Sequence, residues 1–164
     1  MSKQFLFLTT IPDHEQLVPT ARDLSRLPGV TSWQAVDGQI NLVVQVDGDT
    51  KHFLEYLTSH IGDIPVTLCE VLSNGGQPLK LSADQCHAWV LVDVDSSHAD
   101  ALRQTLLHTE GVVSAQATRG GCDLAVLIKG PTFTDVDRTV NENIRPLDGV
   151  LRLKHHHIIN LTTL

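Results

Sequence analysis

Several things are scarce in this 164-residue chain. Lysine and arginine number 12 against 19 acidic residues, a formal charge of −7, and the basic residues are scattered. Nucleic-acid binding draws on phosphate neutralisation by clustered cations, so a direct DNA or RNA contact is disfavoured. Cysteine occurs three times, at Cys69, Cys86 and Cys122, odd in number and without C-x-x-C spacing. That usage suits free thiols in a reducing compartment rather than a disulfide framework. No apolar run is long enough to cross a bilayer, and the N-terminal stretch M-S-K-Q-F-L-F-L-T-T falls short of a signal peptide, which points to a cytoplasmic, non-membrane protein. Aromatic residues make up 4%, and Trp33 and Trp89 fall on strand-like segments as core or interface residues rather than stacking platforms. The patterns G-x-S-x-G, H-E-x-x-H and a phosphate-binding glycine loop are all missing, so no nucleophile constellation is present and no cofactor is indicated.

What is present is a duplication. Adding 82 to Gly29, Val30, Ser32, Gln34, Ala35, Gly38, Leu42 and Val44 gives Gly111, Val112, Ser114, Gln116, Ala117, Gly120, Leu124 and Val126, the same residue each time. Each copy reads as apolar strand, glycine-bearing turn and apolar strand, a β-hairpin. The turns are Asp37-Gly38-Gln39 and Arg119-Gly120-Gly121.

Around each hairpin the same order repeats. In the first copy a strand over Phe5–Ile11 precedes a helix over about Glu15–Leu27, with Asp13 and Gln16 at capping-box spacing and Leu17, Ala21, Leu24 and Leu27 as its apolar stripe. Pro28-Gly29 stops it. After the hairpin, Thr50 can cap a second helix with stripe Phe53, Leu54, Leu57 and Ile61, and Val66–Leu72 forms a fourth strand. The second copy predicts strand Ala88–Val94, helix Ser97–Thr109, hairpin Val112–Ile128, helix Thr132–Ile144 and strand Val150–Ile159. Gly48 maps to Gly130 at offset 82, whereas Phe53, Leu57 and Ile61 map to Val136, Val140 and Ile144 at offset 83. One extra residue has therefore entered near the start of the second copy's second helix.

The order βαββαβ is ferredoxin-like. Ser73–Gln85 has linker composition, which divides the chain into repeats over 1–74 and 87–164 joined by a linker over 75–86. The runs Ala88-Trp89-Val90-Leu91-Val92 and Leu124-Ala125-Val126-Leu127-Ile128 are apolar on both faces, and helices can cover only one. The fold class predicted is therefore α+β, two ferredoxin-like repeats with antiparallel sheets packed face to face, within one chain or between chains.

The segment Glu110–Gly130, with the strand A-W-V-L-V-D-V before it, resembles the effector-binding domain of the Lrp/AsnC family of amino-acid-responsive regulators. The second copy carries Gly111-Val112 and Gly120-Gly121-Cys122-Asp123-Leu124. The first carries Pro28-Gly29-Val30 and Gly38-Gln39-Ile40-Asn41-Leu42, with asparagine in place of the usual aspartate. The resemblance covers about Phe5–Leu72 and His87–Ile159. It implies a tandem ferredoxin-like sensory module of dimeric α/β-barrel type without a helix-turn-helix, since strand one begins at Phe5. It further implies a non-enzymatic regulator that binds a small molecule, such as an amino acid, near the hairpin turn and acts through oligomerisation or a partner protein.

The candidate ligand residues are Gly120, Gly121 and Asp123, with Gly38 and Asn41 in the first copy. A carboxylate at Asp123 can accept hydrogen bonds from a ligand ammonium while glycine backbone approaches closely; alternatively Asp123 caps the hairpin turn. Asn41 keeps hydrogen-bonding capacity without charge. The run His155-His156-His157 is the other conspicuous feature. On a strand His155 and His157 share one face and His156 takes the other. Beside the first strand they would lie near Asp93 and Asp95, a possible zinc or iron set, although Lys154 would repel a cation and a polar strand end is the plainer account. His14, His52, His60, His87, His98 and His108 are scattered and read as solvated. The second functional reading is an enzyme of the dimeric α/β-barrel type, monooxygenase-like or haem-related, using the His155/His157 strand.

Overall fold

The computed structural model describes residues 4–48, 50–60, 66–73, 81 and 84–159. Most of the linker segment and Ile61 lie outside the described residues. The chain divides into two compact units, residues 1–71 with 159–164, and 72–158.

In the first unit, strand β1 (Gln4–Thr9) leads through a short 3-10 turn (His14–Gln16) into helix α1 (Leu17–Ser25). Hairpin β2 (Val30–Val36) and β3 (Leu42–Asp47), helix α2 (Lys51–His60) and strand β4 (Val66–Ser73) follow. β1 pairs antiparallel with both β3 and β4, and β2 pairs with β3, giving the sheet order β4-β1-β3-β2. Pro19 is the third residue of α1, inside the first turn, where its missing N–H costs nothing. Asp13 Oδ1 accepts the Glu15 N–H at 3.0 Å. Leu17, Ala21 and Leu24 bury as the stripe requires, and Phe53 and Leu57 join them from α2. Leu54 does not: it is 39% exposed.

The second unit repeats this with β5 (Cys86–Val94), α3 (Ala99–Leu107), β6 (Val112–Arg119), β7 (Leu124–Gly130), α4 (Phe133–Arg138) and β8 (Val150–Ile159). β5 pairs with β7 and β8, and β6 with β7, all antiparallel. Its helix-side core joins Ala88, Val90, Val92, Val126 and Ile128 to Leu102, Leu106, Val136, Val140 and Ile144. On the other face of the same strands Trp89, Ala125 and Leu127 are at most 1% exposed, as the doubly apolar strands demand. Thus the α+β class and the pair of βαββαβ repeats are as the sequence predicts.

The surplus residue of the second copy is accompanied by a change in helix type. After α4 the chain continues as a π-helical segment over Thr139–Ile144, with the Arg145 N–H donating to the Val140 carbonyl at 2.8 Å. Val136, Val140 and Ile144 all reach 0% exposure. Apolar residues spaced by four stay on one face more readily in wide turns than in turns of 3.6 residues, and π turns are the usual way a helix absorbs one added residue.

Candidate functional site

The hairpin turn is built for a brace. Asn41, buried at 9% exposure, accepts the Ile11 N–H on Oδ1 at 2.8 Å and donates Nδ2 to the Ile11 carbonyl at 2.9 Å. In the second unit Asp123 Oδ2 accepts the Val94 N–H at 2.8 Å. The ladders pair Thr9 with Leu42 and Val92 with Leu124, so Ile11 and Val94 are equivalent positions. Both copies therefore use the side chain at the same position to tie the end of the first strand to the hairpin. Gly38 and Gly120, with φ of 101° and 121°, adopt a backbone conformation that side-chain-bearing residues rarely enter, and with Gly121 they lie exposed. Cys122 is buried beneath the turn, its Sγ 3.3 Å from Thr118 Oγ1.

The histidine run separates as strand geometry requires. His156 is 4% exposed and sits opposite Trp89 in the ladder, while His155 and His157 turn toward the helix side opposite Val90 and Ala88. Their carboxylate partner is not the predicted one. Asp93 pairs with Arg152, its ladder neighbour, five positions down the strand from Ala88. Asp95 accepts the Ser97 N–H at 3.0 Å and the Ser97 hydroxyl at 2.9 Å at the entry to α3, and these bonds hold its carboxyl below the usual range.

Instead Asp137, from α4, meets the histidines. Asp137 Oδ1 lies 2.6 Å from His157 Nε2 and 3.3 Å from His155 Nε2. The ligand-type atoms of all three lie within 4.8 Å of one another. The two imidazoles meet edge-on with ring centres 5.5 Å apart, and Phe133 packs against His157 at 4.5 Å. The cluster is half-buried, the three side chains being 24–41% exposed, so it is open to solvent on one side. Lys154 alternates to the opposite face, across from Leu91, so the predicted repulsion is directed away from the cluster.

Among the described residues the first copy has no such cluster. Offset 83 places Leu54 where Asp137 stands, and the ladders place Leu68 and Glu70 where His155 and His157 stand. That divergence between otherwise matching helices is the signal by which Asp137 could have been found. One histidine read as solvated is not: His87 is 4% exposed, and burial, aided by the Lys129 charge, pushes its imidazole pKa down.

No protein-family model matches this sequence, and no curated protein does. Solved structures match the fold. The siroheme decarboxylase NirDL in complex with an iron-uroporphyrin III analogue superposes with a TM-score of 0.72 over 95% of this chain and 71% of its own, at 9% identity. Chlorite dismutase from Candidatus Nitrospira defluvii, in complex with imidazole, gives 0.62 over 98% and 92%, at 13% identity. The regulator AsnC from E. coli gives 0.44 over 52% of this chain and 60% of its own, at 12% identity. These matches correct the amino-acid-responsive regulator reading. Over nearly the whole chain the fold is similar to that of a siroheme decarboxylase and of a chlorite dismutase.

Proposed function

We propose that the chain is an enzyme of the dimeric α/β-barrel type, haem-related in its substrate, with Asp137, His155 and His157 as its reactive centre. The observation that carries the reading is the convergence of two imidazole nitrogens and a carboxylate at a half-open edge of the second repeat. Such a set can anchor an anionic group and handle protons beside it, and Phe133, 39% exposed next to His157, offers an aromatic wall for a flat conjugated substrate. The whole-chain likeness to a siroheme decarboxylase supports a carboxylated tetrapyrrole as the substrate class.

The test is an absorption titration of the full chain with iron-uroporphyrin III, followed by mass spectrometry for loss of carbon dioxide. We expect a saturable shift of the tetrapyrrole band that weakens at least tenfold in His157→Ala. An unperturbed spectrum together with unchanged tetrapyrrole mass would overturn the reading.

A further inference from the structure

The geometry points to a divalent transition-metal site formed by Asp137 Oδ1, His155 Nε2 and His157 Nε2, a three-ligand site of the two-histidine, one-carboxylate kind. The inference rests on the reading of this cluster as the reactive centre and identifies what the cluster holds.

Adjacent ligands on an ion with bonds of about 2.1 Å stand roughly 3.0–3.4 Å apart, for octahedral and tetrahedral angles respectively. The carboxylate oxygen lies 3.3 Å from His155 Nε2, inside that range, and 2.6 Å from His157 Nε2, a hydrogen-bond distance that an ion would widen by about half an ångström. The backbone fixes the set: His155 and His157 are alternate residues of one strand, held in register against β5, and Asp137 is presented by the helix above them. Both imidazoles direct Nε2 to the same oxygen, and the three atoms lie within 4.8 Å of one another, so the set converges on one point. Imidazole with carboxylate suits zinc, iron(II) and cobalt(II) better than magnesium or calcium, which favour all-oxygen shells.

Charge is consistent. The Arg138 guanidinium, next in sequence to Asp137, is engaged with Asp135 at 3.3 Å, and Lys154 points to the other face of the strand. Three protein ligands leave coordination positions free, and the partial exposure of the set gives an exogenous carboxylate or water access to them. Entry of the ion takes the Nε2 lone pair of each imidazole, and the single proton of the neutral ring then resides on Nδ1.

The experiment uses the full chain stripped with a chelator and then titrated with cobalt(II) and with zinc(II), without substrate. Calorimetry and the visible d–d absorption of cobalt report binding. We expect one saturable site whose affinity falls on the order of tenfold or more in each of Asp137→Asn, His155→Ala and His157→Ala. His108→Ala, which removes an exposed histidine capping the C-terminus of α3, should leave it unchanged. Circular dichroism confirms that each variant is folded, and Asp137→Asn preserves the side-chain shape. Absence of saturable binding, or equal binding by all variants, would overturn the site. Metal binding without tetrapyrrole turnover would retain the site and sink the proposed reaction; turnover unaffected by chelation would do the reverse.

Discussion

Asn41 and Asp123 do the same work with different side chains, and the difference is measurable. Asn41 is buried and satisfies both the N–H and the carbonyl of Ile11, so Asn41→Ala leaves two buried backbone groups without partners, at a cost of about 2–4 kcal/mol. Asp123 is more exposed and a single N–H depends on it, so Asp123→Ala should cost about 1 kcal/mol, water replacing the carboxylate. Urea denaturation of the two variants checks the order, and an equal loss would contradict it. His87 makes a prediction in pH. Its folded-state pKa is lowered by burial, so above about 6.5, where unfolded chains are also neutral, it opposes folding in neither state. As pH falls below that value the unfolded chain takes up a proton that the folded one resists, and stability declines by at most about 1.4 kcal/mol per pH unit until the lowered folded value is reached. His87→Gln should flatten the fall in melting temperature as the pH drops below about 6.5. At this scale the sequence exposes residue types but not their partners: Asp123 and the strand alternation of the histidines were readable, whereas the companionship of Asp137 depended on how a helix lies on its sheet.

At the scale of elements, most of the fold was legible because both of its periodicities are clean. Alternating and doubly apolar strands, helices stopped at Pro28-Gly29, and a hairpin repeated at a constant offset each fix a segment without tertiary information. The change to wide turns over Thr139–Ile144 was not legible as such, because the sequence shows an added residue but not which hydrogen bonds accommodate it. Likewise Leu54 belongs to an apolar stripe on paper, yet the helix is rolled so that Phe53 and Leu57 face the sheet and Leu54 is left at its edge. The turn entering β2 gives a direct test. Gly29 has φ of +88°, and a Cβ built there would stand 2.5 Å from the Asp47 carbonyl oxygen, a backbone atom that cannot yield without disturbing the hairpin ladder. Gly29→Ala should lose about 2 kcal/mol or more, seen as an earlier denaturation midpoint. An alanine variant as stable as the parent would show that this turn relaxes freely.

For the molecule as a whole, the decisive fact is that one plan was used twice and furnished once. Both copies retain the strand order, the hairpin brace and the glycine turns, but among the described residues only the second places an acid and two imidazoles together, while the first holds Leu54, Leu68 and Glu70 in the corresponding places. Metal stoichiometry should accordingly be one ion per chain, measured by elemental analysis after dialysis; two would assign a site to the first copy that its side chains do not supply. The first copy is thus a blank that nature has already synthesised. Grafting its three residues onto the second half, as D137L with H155L and H157E, would swap the chemistry for a combination this backbone already tolerates next door, making it a gentler erasure than alanine scanning.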